Sequence, residues 1–360
     1  MKEVHSKNQL FKTILIPILA WAAFALHHFI DWPFFNLVLV VALLYCTLQA
    51  VHHAEIIAHK IGEPFGTMVL ALAITSIEVS LIISIMLAGG PETSVLARDT
   101  VFAAVMIILN GMIGLSILTG GIKFKEQTFV QQGVNATLTI LVAISVLTLI
   151  LPNYTTTIPG PFYSKKQLFF VAAMSLILYG SFVFVQNIKH KEYFLADDHQ
   201  DHSSQDKPTN KETIISLLLL LACLGAVVAL AESLAPTLDH LIDQFGAPHS
   251  LVGVIIACIV LLPEGLSAYN AAKKNQLQKS LNLSLGCALA SIGLSIPIVA
   301  IYSIFSGIQL TLGIDAQATL LFLLSLFVII LSLSTGKTTI LQGIVLLIIF
   351  FVYLFIIIFP

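Results

Sequence analysis

The sequence predicts an all-α polytopic membrane protein of about eleven transmembrane helices, in which one extra N-terminal helix precedes two inverted five-helix repeats. Three observations carry this prediction. Apolar residues make up 58% of the 360 residues, charged residues only 10%, and the mean hydropathy is +0.97, which is far outside the range of soluble globular domains. Hydrophobic runs long enough to cross a bilayer recur along the chain. Two of them, one in each half of the chain, carry a glutamate at their middle.

The hydrophobic runs end at charges or at clusters of proline and glycine, and these ends set the predicted organisation. The extra helix falls in residues 1–33, the first repeat in 34–187, a hydrophilic linker in 188–212 and the second repeat in 213–360. The predicted spans are, in order, 12–30, 34–54, 64–88, 99–121, 133–151, 167–187, 213–233, 249–271, 282–305, 317–334 and 338–358.

The distribution of basic residues predicts the orientation. With the N-terminus in the cytoplasm, 14 of the 17 lysines and arginines fall in cytoplasmic loops, and only Arg98, Lys165 and Lys166 fall outside. This bias follows the positive-inside rule, and it places the C-terminus on the outer side. An odd number of spans in each half gives the two halves opposite topologies.

The hydrophilic linker around Asn187–Glu212 is acidic and contains histidines. A group of its side chains could bind a divalent cation as a regulatory site, although the same composition is typical of a solvated linker. These side chains are Asp197, Asp198, His199, Asp201 and His202.

The two central glutamates are the main functional candidates. Glu78 lies in the middle of the run at 66–88, and Glu264 lies in the middle of the run at 250–273. A carboxylate near the bilayer midplane costs several kcal/mol, so such a residue is by default functional and has a partner. Each glutamate also falls in the second helix of its half. The alternative is a structural pair with no role in transport.

Other oxygen-bearing groups lie close to each glutamate along its helix. Thr75 and Ser76 precede Glu78 and supply hydroxyl groups that could bind a cation. Pro263 has no N–H, so the carbonyl of Ile259 loses its helical donor and becomes available as a neutral ligand. Ser267 follows Glu264 one turn later on the same helical face.

The third helix of each half adds two candidates. Both helices contain the pentapeptide Ile-Gly-Leu-Ser-Ile, at 113–117 and at 292–296, which favours an internal duplication. Asn110 lies in an apolar run where its amide needs a partner, so a ligand role and a structural role are both open. Ser291 is a candidate in the third helix of the second half.

A further cluster lies at the predicted cytoplasmic end of the second helix. His52, Glu55 and His59 fall on one helical face and could form a proton or cation entrance. The alternative is a salt-bridged helix end at the membrane interface. Glu232 is a weaker candidate for the outer mouth.

Several long segments resemble one family of transporters. GEPFGTMVLALAITSIEVSLI, RDTVFAAVMIILNGMIGLS and LLPEGLSAYNAAKKNQLQKSLNLSLGCALASIGLSIP are similar to the ChaA-type calcium/proton antiporters of the cation/calcium exchanger superfamily. The resemblance runs from about His52 to the C-terminus. It implies export of Ca²⁺, and in some members of Na⁺ or K⁺, across the inner membrane against protons, with Glu78 and Glu264 as the paired acids. Many members of the superfamily carry Gly-Asn where this sequence has 74–75 (Ile-Thr) and 260–261 (Val-Leu), which bears on the choice of cation.

The resemblance and the chemistry of the glutamates together predict antiport by alternating access. Two carboxylates balance the charge of Ca²⁺, and neutral oxygens and water complete its six to eight ligands. Protons compete for the same oxygens. No cofactor is expected, the lipid bilayer is the expected partner, no nucleic acid is expected to bind, and Ca²⁺ and protons are the transported ions. The alternatives are a passive cation channel, a Na⁺(K⁺)/H⁺ antiporter that does not carry Ca²⁺, and an intramembrane enzyme, for which the chain has no His-Glu-x-x-His motif.

Overall fold

The computed structural model describes residues 2–27, 29, 34–62, 65–89, 93–194, 208–245, 248 and 250–359. Eleven helices and one two-stranded sheet account for most of them. The helices are α1 (Lys2–His27), α2 (Phe35–Ile61), α3 (Phe65–Gly89), α4 (Leu96–Phe124), α5 (Gln131–Tyr154), α6 (Lys165–Lys189), α7 (Asn210–Phe245), α8 (Ser250–Lys273), α9 (Leu277–Ser306), α10 (Ala316–Leu333) and α11 (Ile340–Ile358). The strands are β1 (Glu126–Thr128) and β2 (Lys337–Thr339).

The helices confirm the predicted fold class. Nine of them are long and apolar enough to cross a membrane within the described part of the chain. Two shorter apolar stretches, Leu15–His27 in α1 and Ala71–Leu87 in α3, are the remaining candidates. The count of about eleven spans therefore agrees with the structure when both shorter stretches are included.

Some helices extend beyond the predicted spans. α2 continues to Ile61 instead of ending near residue 54, and α9 begins at Leu277 instead of near 282. α7 continues through Pro236 to Phe245 instead of ending near 233. Charged side chains mark where a chain leaves the hydrocarbon core, but they do not end a helix, and membrane helices tolerate proline inside them. The sequence pattern therefore located the apolar parts of these helices, not their ends.

Four helices contain a π-helical turn. In α4 the segment Ile107–Met112 is π-helical, between α-helical Leu96–Met106 and Ile113–Phe124. In α9 the segment Ser291–Ser295 is π-helical. The other two lie in α5 and α6, near the C-terminal end of each helix. Both copies of the shared pentapeptide therefore adjoin or overlap a π-segment, although the duplication itself stays a prediction.

Contacts group the helices into two compact units that do not follow the predicted halves. Unit 1 comprises residues Met1–Gly89 and Gln205–Ala247, and therefore contains α1, α2, α3 and α7. Unit 2 comprises Gly90–Ser204 and Pro248–Pro360, with the remaining seven helices and both strands. Unit 1 thus takes helices from both halves of the sequence.

In unit 1, α2 and α7 each pack against the other three helices. The two helices run antiparallel. At one end the Asn36 amide donates to the Thr237 hydroxyl at 3.1 Å. At the other end the Lys60 ammonium donates to the carbonyl of Pro208 at 2.8 Å. The extra helix α1 is held by the Trp21 indole, which donates to a backbone carbonyl of α7 at 3.1 Å.

The core of unit 2 is built around α4, in which every residue from Thr100 to Asn110 is buried. α8 and α11 approach α4 closely because glycines face it. A Cβ on Gly253 of α8 would lie 2.8 Å from the backbone of Asp99 and Thr100. A Cβ on Gly343 of α11 would lie 2.5 Å from the backbone nitrogen of Leu118. The absence of a side chain at these two glycines therefore allows the close packing of α8 and α11 on α4.

One end of unit 2 carries the sheet. β1 and β2 pair antiparallel, with Glu126 opposite Thr339 and Thr128 opposite Lys337. Beside the sheet, the Lys123 ammonium donates to a backbone carbonyl at the end of α8 at 3.0 Å. These loops hold lysines that the sequence places together on the cytoplasmic side. That they lie at one end is a structural finding, while the side that this end faces stays a prediction.

At the other end of unit 2, the connection between α5 and α6 is joined to the connection between α9 and α10. Phe162 and Thr311 form an antiparallel bridge, and the Asn153 amide donates to the carbonyl of Ile314 at 2.6 Å. The Tyr163 hydroxyl donates to a carbonyl of α5 at 2.6 Å. Burial raises the pKa of Tyr163 to about 12, so this hydroxyl remains a hydrogen-bond donor at any physiological pH.

Candidate functional site

In unit 1 the predicted glutamate of α3 is buried. Glu78 lies 13 residues after Phe65, and 4% of its surface is exposed. Thr75, one turn earlier, is also buried, and so is Ile82, one turn later. These residues lie on the buried side of α3, which packs against α2 and α7. Glu78 and Thr75 therefore place a carboxylate and a hydroxyl on one buried face.

Ser76 lies outside this face. It is exposed, and its hydroxyl donates to the carbonyl of Leu72 in its own helix at 2.7 Å. Such a bond is what a serine in a membrane helix makes when no other partner is available. Its predicted ligand role stays a prediction, and its position gives that role no support.

In unit 2 the glutamate of α8 is buried as well. Glu264 lies 14 residues after Ser250, and 3% of its surface is exposed. Pro263 is inside the helix, so the backbone carbonyl four residues before it has no helical N–H to accept from. Ser267 is exposed on the same helix. The structure therefore separates Ser267 from the buried face of Glu264, and the role predicted for Ser267 remains untested.

The neighbour of Glu264 in sequence contacts the π-segment of α4. A Cβ on Gly265 would lie 3.7 Å from the Cγ of Met112, the last residue of that segment. The same segment contains Asn110, which is fully buried. The sequence prediction placed both the glutamate and the asparagine in one site, and the structure packs their two segments against each other.

The Asn110 amide is anchored through its nitrogen. Nδ2 donates to the hydroxyl of Ser325 at 3.0 Å and to the carbonyl of Met106 at 3.2 Å. Oδ1 is buried and has no hydrogen-bond partner among the described residues. A buried acceptor without a partner is unfavourable in a bare protein, and it becomes favourable when a cation or a water supplies the missing contact.

Sequence reasoning missed Ser325, which orients the Asn110 amide. The serine hydroxyl accepts from Asn110 and donates to the carbonyl of Leu321 at 2.8 Å. The only signal in the sequence was a hydroxyl in the middle of the apolar run of α10, and such a residue usually bonds back to its own helix. Only the tertiary structure shows that it also receives the amide.

The π-segment of α9 carries Ser291, which is 3% exposed. This segment packs against α4, α5 and α6. Unit 2 also contains buried serine hydroxyls that have no hydrogen-bond partner among the described residues and that are not among the candidate residues named above. They are Ser116, Ser145, Ser175, Ser280, Ser284 and Ser295. The interior of unit 2 therefore offers more neutral oxygen ligands than the sequence pattern alone identified.

The predicted entrance residues lie on exposed faces of unit 1. His52, Glu55 and His59 are all exposed and share a stripe of α2 with apolar exposed residues such as Tyr45. Glu232 is exposed on α7. The structure does not bring any of these four to the buried face of Glu78, so their entrance role stays a prediction. The Asp and His group of the linker, between residues 197 and 202, lies outside the described residues.

In the described part of the chain, no three His, Cys, Asp or Glu side chains form a group that could hold a metal ion. The buried oxygen donors described above comprise one carboxylate in each unit, together with hydroxyl and amide groups. Ca²⁺ accepts such a mixed set, whereas tightly bound transition metals prefer nitrogen and sulfur ligands.

Comparison with known proteins agrees with these features. Residues 32–187 and 215–359 match the family model described as sodium/calcium exchanger protein. The chain belongs to this family. It is therefore a multi-pass membrane transporter, and the predicted resemblance to the cation/calcium exchangers is confirmed.

Three relatives illustrate the similarity. The chain is 44% identical over 305 residues to the putative ionic transporter y4hA of Sinorhizobium fredii, covering 85% of this chain and 83% of that protein. It is 33% identical over 324 residues to the sodium-potassium/proton antiporter ChaA of Escherichia coli, covering 89% and 87%. The structure of the Ca²⁺/H⁺ antiporter YfkE matches with a TM-score of 0.74 at 16% identity, covering 97% of this chain and 99% of that chain. The last match concerns the fold alone.

Proposed function

We propose that the chain exports cytoplasmic Ca²⁺ in exchange for external protons by alternating access, and that Glu78 and Glu264 bind both ions. The observation that carries the proposal is the burial of these two carboxylates. Each is the only acid of its helix, each lies near the middle of that helix, and each is at most 4% exposed. Carboxylates at such positions are expensive to bury and are typical of ion pathways.

The chemistry of exchange follows from charge neutralisation. Two ionised carboxylates are unfavourable in a poorly solvated interior, and either one Ca²⁺ or two protons cancels their charge. If only the neutralised forms cross the membrane, each passage carries either the cation or the protons. Neutral oxygen ligands are available in each unit, namely the Thr75 hydroxyl in unit 1 and the Asn110 Oδ1 in unit 2.

The names of the relatives support proton-coupled exchange and leave two candidate functions, one with Ca²⁺ and one with Na⁺ or K⁺ as the cation. The structural relative YfkE is a Ca²⁺/H⁺ antiporter, and the Escherichia coli relative ChaA is a sodium-potassium/proton antiporter. A Na⁺(K⁺)/H⁺ exchanger is therefore the second candidate function. The positions before each glutamate favour it, since residues 74–75 and 260–261 carry only one polar side chain, Thr75, where many relatives in the wider superfamily carry amide ligands.

The test is counterflow in proteoliposomes that contain the purified chain. An imposed proton gradient should drive uptake of Ca²⁺, and parallel runs with Na⁺ and K⁺ measure the competing function. Glu78→Gln and Glu264→Gln should each abolish exchange because the amide cannot balance the charge of the cation. Glu126→Gln is the matched control, since Glu126 is exposed in β1 and should leave exchange intact.

Two results would contradict the proposal. Cation flux that is the same with and without the proton gradient would indicate a passive channel. Exchange at the wild-type rate in Glu78→Gln or Glu264→Gln would remove the carboxylate from the mechanism. Proton-driven uptake of Na⁺ or K⁺ without Ca²⁺ uptake would select the second candidate function.

A further inference from the structure

A cavity lies at the end of unit 2 that carries the Phe162–Thr311 bridge. α4, α8, α10 and α11 meet there around a space of about 140 Å³. Most of its wall is apolar, but two carboxylates and a phenol contribute to it. These are Asp99 near the start of α4, Asp315 before α10, and Tyr353 near the end of α11. None of the three belongs to the site proposed above.

In the first carboxylate, one of the two oxygens already has a partner. Asp99 Oδ1 accepts from the Arg98 Nε at 2.7 Å, and only 12% of the Asp99 side chain is exposed. Arg98 Nη1 in turn donates to the carbonyl of Gly313 at 3.0 Å. The guanidinium is therefore fixed on one side of the carboxylate. Asp99 Oδ2 has no hydrogen bond or ion pair within the described residues.

In the second carboxylate, too, only one of the two oxygens has a partner among the described residues. Asp315 Oδ1 caps α10 by accepting from the backbone N–H of Ala318 at 2.8 Å. The other oxygen, Oδ2, makes no such contact in the described part of the chain. Asp315 and Asp99 line the same cavity. Arg98 offsets one of the two negative charges, which leaves one in excess.

The buried hydroxyl group of Tyr353 indicates that the cavity binds a ligand. Tyr353 is 1% exposed, and its hydroxyl has no hydrogen-bond partner among the described residues. Its ring is held edge-on against Phe102 with the centroids 5.7 Å apart. A buried hydroxyl without a hydrogen-bond partner costs free energy unless a bound water or ion supplies the missing contact.

We propose that this cavity binds a partly hydrated metal cation with Ca²⁺-like oxygen preference, through Asp99 Oδ2, Asp315 Oδ2 and the Tyr353 hydroxyl. Three protein oxygens are fewer than the six to eight that Ca²⁺ takes, so water supplies the others and binding is weak. Asp99 precedes Asn110 by 11 residues of one helix, or roughly 16 Å along its axis. The cavity is thus a separate vestibule at the mouth of unit 2, in addition to the transport site.

The test measures Ca²⁺ binding to the full-length Glu78→Gln/Glu264→Gln variant in lipid nanodiscs, where the proposed transport ligands are absent. We expect residual weak binding, together with terbium luminescence that is excited through tyrosine. Asp315→Asn should lower the residual affinity at least about tenfold, since asparagine keeps the helix cap but removes the charge. Tyr353→Phe should lower the terbium signal while it keeps the contact with Phe102.

Matched controls are Glu192→Gln for the carboxylate and Tyr154→Phe for the phenol, because both side chains are exposed and lie outside the cavity. The proposal is overturned if the double glutamate variant binds no Ca²⁺, or if Asp315→Asn and Tyr353→Phe both bind like their controls. These outcomes are independent of exchange. A protein that binds Ca²⁺ at the vestibule but fails to exchange it would refute only the proposed function.

Discussion

Substitutions at Asn110 can distinguish a role as a cation ligand from a role in helix packing. Asn110→Leu removes both hydrogen bonds of the amide, to Ser325 at 3.0 Å and to Met106 at 3.2 Å. Only the bond to Ser325 joins two helices, and such bonds contribute about 0.6 kcal/mol on average, while the bond to Met106 lies within α4. The variant also removes the buried Oδ1, which lacks a partner, and this change offsets part of the loss. The free energy of unfolding should therefore change little.

Transport should respond far more strongly. If Oδ1 binds the cation, Asn110→Leu should reduce Ca²⁺ exchange by more than tenfold, a difference of about 1.4 kcal/mol that the loss of stability does not supply. Ser325→Ala is the matched control because it removes the anchor of the amide but keeps Oδ1 and the bond to Met106. Exchange should fall by less than about threefold in this variant, in line with a loss of about 0.6 kcal/mol.

The assay is initial-rate uptake in proteoliposomes, with thermal unfolding of the same preparations in detergent as the measure of stability. A wild-type rate in Asn110→Leu would refute the ligand role. Equal losses of exchange in Asn110→Leu and Ser325→Ala would also refute it, because the amide would then act only through its contact with α10.

Three further predictions test the mechanism, the topology and the packing. Apparent Ca²⁺ affinity, measured on purified protein from about pH 5 to 9, should fall as the pH falls. The logarithm of the affinity should approach a limiting slope of about two per pH unit, since both carboxylates must be ionised to bind the cation. An affinity that does not depend on pH would mean that protons and Ca²⁺ do not share these carboxylates. Reporters fused after Lys12 and within 187–212 should be cytoplasmic and one fused after the C-terminus should be outside; a cytoplasmic C-terminus would remove the inverted topology. Gly253→Ala should destabilise unit 2 by about 1–3 kcal/mol because its Cβ would lie 2.8 Å from the α4 backbone. Gly180→Ala, which meets nothing within 4 Å, should be neutral or stabilising, and equal melting temperatures of the two variants would contradict the packing argument.

The sequence was sufficient for the features that depend on composition and periodicity. Hydropathy identified the membrane spans, and two isolated acids identified the residues that the structure buries as Glu78 and Glu264. The sequence was not sufficient to predict whether a single serine lies on the buried or the exposed face of its helix. Ser76 and Ser267 lie within a turn of a buried glutamate, yet both are exposed, because the lipid-facing and protein-facing sides of a nearly uniform apolar helix differ only in tertiary structure.

The π-segments explain a second part of what the pattern did not predict. A π-turn accommodates one additional residue, so it rotates every later side chain relative to the period of 3.6. Positions after Met112 in α4 and after Ser295 in α9 therefore cannot be assigned to a face by counting from the start of the helix. The contact between Asn110 and Ser325 joins residues 215 apart in the chain, and no local signal specifies it.

The strand pair and the Phe162–Thr311 bridge have a mechanical consequence. The chain runs from β1 through α5 to Phe162, crosses by hydrogen bonds to Thr311, continues through α10 to β2, and returns to β1 through the ladder. α5 and α10 are thus opposite sides of a closed ring, fastened at both ends. Sliding one helix along the other by a single residue would break both fastenings together. A motion of unit 2 that preserves both fastenings therefore moves α5 and α10 together.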